Sequence, residues 1–181
     1  YDYAARQLDR LSARLVSDSS QAKSEMRRRV DVIRITCATY TDDFPAVEKM
    51  GMAWLAAKQE DDPFDVATVC CGIGVHFSNQ FNFLRAREYF GEAQSSIGQS
   101  ESGYGEAWVS VLSAQVDIYE GDFAHSYNKA SEILARISSF GGDYSGMSST
   151  VSALAALSAL EIGRDAEAAQ LLRASMDRLQ T

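Results

Sequence analysis

One kind of turn recurs along this chain, and its spacing limits the fold more than any other feature. Thr41-Asp42-Asp43-Phe44, Phe81-Asn82-Phe83, Gly121-Asp122-Phe123 and Gly163-Arg164-Asp165 begin at 41, 81, 121 and 163, intervals of 40, 40 and 42 residues. Each lies between segments whose apolar residues return every three or four positions, the pattern of an amphipathic helix. Glycine accepts positive φ, and an aspartate or asparagine side chain caps the helix that follows. Such a turn joins two helices into a hairpin, and four at near-constant spacing predict an array in which each hairpin packs on its neighbours.

The clearest copy runs from Glu106 to Ser138, with Trp108 and Tyr119 in the helix before Gly121 and Tyr127 and Ile133 in the helix after Asp122. Taking the rest in order, a first helix is expected over 1–16, ending in the polar run Ser17-Asp18-Ser19-Ser20, and counts as part of a truncated repeat over 1–20. Hairpins are expected over 22–60, 63–99, 104–140 and 147–181. Pro45 and Pro63, the only two prolines, fall at helix starts, where the missing N–H costs nothing. In the helix over 22–40, Met26, Val30, Ile33 and Cys37 are expected on one face, and Arg27-Arg28-Arg29 reads as a solvated face or, as an alternative, an anion or partner site. About nine helices result, and the fold class is all-α.

Small residues fall where two helices of a hairpin would cross. Gly74 stands between Ile73 and Phe77, and Ala114 and Ala156 occupy its position in the next two repeats. Ala86, Phe90 and Ala93 mark the second helix, followed by Ser126, Ala130 and Ile133, then by Ala168, Leu172 and Ser175. These spacings resemble the tetratricopeptide pattern, with Arg34 in place of the small residue in the earliest copy. The resemblance implies one tetratricopeptide-like domain over 1–181, a right-handed superhelical solenoid with a period of about 40 residues.

A second resemblance is to a family. The runs Tyr104-Gly105-Glu106-Ala107-Trp108, Glu120-Gly121-Asp122-Phe123, Gly141-Gly142-Asp143-Tyr144-Ser145 and Ser152 to Glu161, with Gly163-Arg164-Asp165-Ala166-Glu167-Ala168, resemble the helical-repeat region of the MalT-like, LuxR-type ATP-dependent bacterial transcription regulators. The resemblance implies an effector-sensing segment that helps control self-association. It also implies a parent protein carrying an ATP-binding module and a helix-turn-helix. No Gly-x-x-x-x-Gly-Lys-Ser/Thr run occurs in the chain, so no cofactor is expected in this fragment.

Charge and chemistry point the same way. Residues 1–60 carry 10 Lys/Arg against 9 Asp/Glu, and 61–181 carry 7 against 16, a balance that repels phosphate backbones and predicts no direct nucleic-acid contact. No apolar run is long enough to cross a bilayer. Three cysteines, two of them adjacent, make a poor disulfide framework and predict a cytoplasmic chain. A start at Tyr1 rather than Met leads us to expect an excised fragment. His76 and His125 lie in no metal-ligand spacing, Cys70 and Cys71 are expected to supply at least one core residue, and no catalytic constellation emerges.

Stacked hairpins would instead present the first helix of each as the wall of a concave groove. Counted from the turn, the exposed wall positions are Thr68, Cys71, Val75, Ser78 and Asn79, then Trp108, Val111, Gln115, Ile118 and Tyr119, then Thr150, Ala153, Leu157, Leu160 and Glu161. Cys71, Asn79, Trp108, Gln115 and Tyr119 are the candidate binding residues for a small effector or a partner protein, aromatic area being combined there with hydrogen-bonding ends. The alternative for Trp108 and Tyr119 is packing between repeats, and Trp54 is expected in the core. The competing function is a plain scaffold that holds a partner protein or peptide.

Overall fold

The structure, a computed structural model, describes residues 2–15, 21–57, 60–100, 102–138 and 145–179. Among them the chain is all-helical: α1 (Asp2–Leu15), α2 (Gln21–Tyr40), α3 (Phe44–Ala56), α4 (Pro63–Asn79), α5 (Phe83–Ile97), α6 (Gly103–Glu120), α7 (Phe123–Ile137), α8 (Ser145–Glu161) and α9 (Asp165–Leu179). The expected polar run at Ser17–Ser20 and most of the glycine-rich loop after Phe140 lie outside the described residues.

The helices fall into two compact units, residues 1–100 and 101–181. In the first, α2 touches α1, α3 and α4, and α4 packs against α3 and α5; in the second, α6 touches α7 and α8, and α8 also packs against α7 and α9. In both units the first helix of one hairpin therefore lies beside the first helix of the next.

The recurring turn has one geometry. Asp42, Phe81, Gly121 and Gly163 hold φ at 57°, 58°, 82° and 78°. The next residue's N–H reaches back to a carbonyl five positions earlier, Asp43 to Ala38 at 2.9 Å, Asn82 to Phe77 at 3.0 Å, Asp122 to Asp117 at 2.8 Å and Arg164 to Ala159 at 2.8 Å. The left-handed residue itself donates three positions back, from Phe81 to Ser78 and from Gly121 to Ile118, both at 3.0 Å. This Schellman pair of bonds satisfies the orphan carbonyls at the end of one helix. In three of the four turns the same donor residue then caps the next: the Asp43, Asn82 and Asp122 side chains accept from the backbone N–H of Ala46, Arg85 and His125.

The left-handed residues correct the register. They are spaced 39, 40 and 42 apart, so the residue equivalent to Gly74 in the first hairpin is Ile35, which is fully buried, and not Arg34. Arg34 instead pairs with Asp9 at 2.6 Å.

The face expected of α2 also differs. Val30 is buried, but Met26 and Ile33 are exposed, and the buried set continues through Val32, Ile35 and Ala38. The reason is tertiary: α2 is flanked by three helices, and its side toward α4 is set by Ile35 and Thr39, which lie beside Gly72.

The arginine triplet is a solvated face at Arg29, which is exposed, but not at Arg28. The Arg28 guanidinium lies 3.9 Å over the Trp54 ring, bonds to both carboxylate oxygens of Asp61 at 2.5 Å, and donates to the Trp54 carbonyl, while Trp54 Nε1 donates to the Arg28 carbonyl, each at 3.2 Å. This cluster ties the early turns of α2 to the end of α3 and the approach to α4, and it places Trp54 in the core as expected.

Unit 2 is knit by small and polar residues. Ala107, Val111, Ala130, Ile133, Ile137, Met147, Val151 and Ala155 form one apolar cluster. Buried hydroxyls cross between helices beside it, from Ser158 to Ser126 at 3.1 Å and from Ser149 to the Ser175 carbonyl at 2.8 Å.

Candidate binding faces of the first helices

In unit 1 the candidate wall is α4. Cys71 is half-buried and Asn79 exposed, but the Asn79 amide donates to the Val75 carbonyl at 2.9 Å, an engagement with its own helix. Ser78, expected to be exposed, is buried and donates to the Gly74 carbonyl at 2.8 Å. A 17-residue helix pressed between α3, α2 and α5 has little free perimeter. Burial pushes both adjacent thiols up to about 12, aided at Cys70 by Glu92 and at Cys71 by its neighbour. They stay protonated and are poor nucleophiles at neutral pH. Cys70 is the core residue of the pair.

His76 is buried between the rings of Phe44 and Phe77. Neither of its ring nitrogens has a hydrogen-bond partner, and the nearest charge is Glu48, 3.5 Å from Nε2. Among the described residues no group of three or more His, Cys, Asp or Glu side chains could hold a metal ion, and no helix is long and apolar enough to cross a membrane.

In unit 2 the wall is built from α6 and α8. The two helices are in contact and carry equivalent positions 42 residues apart, so Gln115, Ile118 and Tyr119 on α6 correspond to Leu157, Leu160 and Glu161 on α8. Tyr119, Leu157 and Leu160 are 46%, 44% and 54% exposed, with Thr150, Ala153 and Glu161 also exposed and Gln115 and Ile118 half-buried. Val111 departs from the expectation: it is buried in the unit 2 core, because with Ala107 it packs into the cluster that holds Val151 and Ala155 of α8.

Trp108 is half-buried against that same cluster, as in the packing alternative. Its ring meets Tyr104 edge-on at 6.2 Å, and it is Tyr104 that is the more exposed. Tyr104 is absent from the sequence-based set although it stands one helical turn before Trp108, a spacing that could have pointed to it. Of the five candidate residues, then, Tyr119 and Gln115 share the open face of α6, Trp108 sits at its packed edge, and Cys71 and Asn79 belong to unit 1.

α7 supports this wall from behind. Asp117, fully buried on α6, accepts from Lys129 at 2.8 Å, and His125 lies 4.0 Å away. Lys129 also donates to Ser113 at 3.1 Å. At the other end of the hairpin Arg136 pairs with Glu106. Such fixed points at both ends hold α6 against α7. Tyr127 donates in turn to Glu167, joining α7 to α9.

No protein-family model, no curated protein and no solved structure matches this chain.

Proposed function

We propose that the chain is a non-catalytic protein-interaction segment whose binding wall is the open face of α6 and α8. One observation carries this reading. On α8 the serines at 149, 152 and 158 are buried, whereas Leu157 and Leu160 are exposed, as is Tyr119 on α6, the helix that α8 touches. Exposed apolar side chains of this size on two touching helices, with Glu161 exposed next in sequence to Leu160, suit a partner's apolar ridge with polar or basic flanks.

The resemblance to MalT-like, LuxR-type regulators supplies the biological setting of the proposal, an effector-sensing and self-association segment of a larger transcription regulator. In that setting a ligand that prefers one arrangement of the first helices would shift the population of arrangements seen by the rest of the protein. The plain scaffold is the second reading. The place of Trp108 against the core favours it, since the aromatic expected to line an effector site is largely spent on packing.

The test is selection of peptides from a displayed library on the 181-residue chain, with a parallel thermal-shift screen of small molecules. Binders should lose affinity at least tenfold, about 1.4 kcal/mol, on Leu157→Glu and Tyr119→Ala, and keep it on Asn128→Glu of α7. Binders indifferent to both wall substitutions would overturn the assignment. Small-molecule hits lost on Gln115→Ala would favour effector sensing over scaffolding.

A further inference from the structure

The repeat equivalence picks out an apolar stripe on α9 that is uncovered among the described residues. Within each unit the second helix of a hairpin, α3 or α7, presents a stripe to the first helix of the next, α4 or α8. On α3 that stripe includes Gly51, against which Ile73 and Val69 of α4 close so tightly that an added Cβ would meet Ile73 at 2.8 Å. On α7 it includes Tyr127 and Ala130, covered by Val151, Ala155 and Ala159 of α8.

On α9 the equivalent residues are Ala169, Leu172 and Met176. Ala169 is exposed, and Leu172 and Met176 are 50% and 54% exposed. The buried side of α9, meanwhile, is used in full: Ala168 and Leu171 pack on Tyr127 and Ala159, and Ser175 bonds to Ser149. The outer stripe is therefore a second face, apolar where a face that ends an array is polar.

We infer that the Ala169–Leu172–Met176 face of α9 docks a partner helical hairpin, whose first helix lies over α9 as α8 lies over α7. The volumes specify that helix. Opposite Gly51 stand two large residues, and opposite Ala130 stand a valine and an alanine. Opposite the larger Leu172 the docking helix must carry alanine or glycine, with small residues repeated every fourth position so that the backbones approach as closely as in the covered pairs.

The experiment extends the full chain by a second copy of residues 139–181 joined after Thr181, in two forms: unaltered, and with Val151→Ala in the added copy to make room for Leu172. The expected result is a raised urea midpoint, a single transition, and amide exchange in the added hairpin slowed by about a hundredfold or more, with the Val151→Ala form the more protected. The pair Leu172→Glu and Met176→Glu, made at exposed sites of the acceptor helix, should remove the gain and leave the parent chain folded. If the added hairpin exchanges as freely as an unfolded segment in both forms, the inference fails. It fails equally if the unextended chain proves to be a dimer by light scattering that Leu172→Glu dissociates, because the occupant is then a second copy and not a hairpin.

Discussion

Gly74→Ala is the most direct test of how these hairpins close. Gly74 lies inside α4, and a Cβ built there would stand 2.8 Å from Cε1 and Cζ and 3.0 Å from Cδ1 of Phe90. Phe90 is 3% exposed, and its ring is rigid, so relief needs a shift of the α5 backbone or of the ring through packed neighbours. Overpacking of this kind costs about 1–3 kcal/mol. Against it stands the helix propensity of alanine over glycine, worth about 1 kcal/mol. The net expectation is a loss between about zero and 2 kcal/mol.

Gly91 on α5 isolates the two terms, since it is helical and has nothing within 4 Å of its added Cβ. Gly91→Ala should therefore gain about 0.5–1 kcal/mol. The two alanine variants are then separated by about 1–3 kcal/mol in equilibrium urea unfolding. Adding Phe90→Leu to Gly74→Ala should cost less than the sum of the single changes by about 1 kcal/mol, the mark of a direct contact. If Gly74→Ala proves as stabilising as Gly91→Ala, the crossing does not depend on the missing Cβ and the reasoning is wrong.

Three further outcomes follow from single sites. Phe81 holds left-handed φ, uncommon for a bulky residue, and is 77% exposed, so Phe81→Gly should raise stability by about 1 kcal/mol, less the edge-on contact with Phe83; no gain in the urea midpoint would mean that contact outweighs the strain. Asp117 is fully buried while Lys129 is partly exposed, so Lys129→Ala, which removes the ammonium that lies 2.8 Å from the carboxylate, should destabilise by about 2–4 kcal/mol and more than Asp117→Asn, which leaves an amine that water can reach; equal losses in denaturation would refute the asymmetry. Burial, and after it Asp62, raises the Asp65 carboxyl above its ordinary 3.8 against the pull of Arg29. The folded state then binds this proton more readily than the unfolded one, so the wild type gains stability as pH falls toward 3.8, and the cost of the charged form is present in full at pH 7. Asp65→Asn should accordingly be the more stable protein at pH 7 by an advantage that shrinks near pH 4, roughly the ordinary carboxylate range; an advantage unchanged between the two would contradict the shift.

Much of the fold was legible because turns and caps are local. The Schellman bonds and the caps at Asp43, Asn82 and Asp122 depend on residues within five positions, so spacing alone located the hairpins. Register was harder. In the first turn the left-handed position that glycine holds at 121 and 163 belongs to Asp42, whereas spacing aligns Thr41 there, so the first repeat is misaligned by one residue and Arg34 stands where Ile35 belongs. Faces set by several neighbours were not legible at all. Met26 and Val30 share a stripe by periodicity yet differ in burial, and Arg28 looked like a surface charge because its partners lie 26 and 33 residues away. The candidate site was partly legible: position in the hairpin found Tyr119, Leu157 and Leu160, but it could not separate Val111 or Ser78, which face neighbouring helices, from residues that face out.

The composition of α8 bears on the proposal that its open face takes a partner. A helix that touches α6, α7 and α9 needs small side chains on three sides, and buried Ser149, Ser152 and Ser158 with Ala155, Ala156 and Ala159 meet that need. The serines cost little inside because Ser149 and Ser158 find hydroxyl or carbonyl partners. This explains why small residues outnumber Met147 and Val151 on the buried sides, but it places no demand on the fourth side, where alanine, lysine or glutamate would serve helix formation as well as leucine. Of the three leucines on α8, only Leu154 packs against the core. Leu157 and Leu160 contribute little burial to this fold, and each leaves apolar area in water that a partner could cover at roughly 25 cal/mol per Å². Packing within the chain covers the serines, and the proposed partner on the α6–α8 face would cover the leucines.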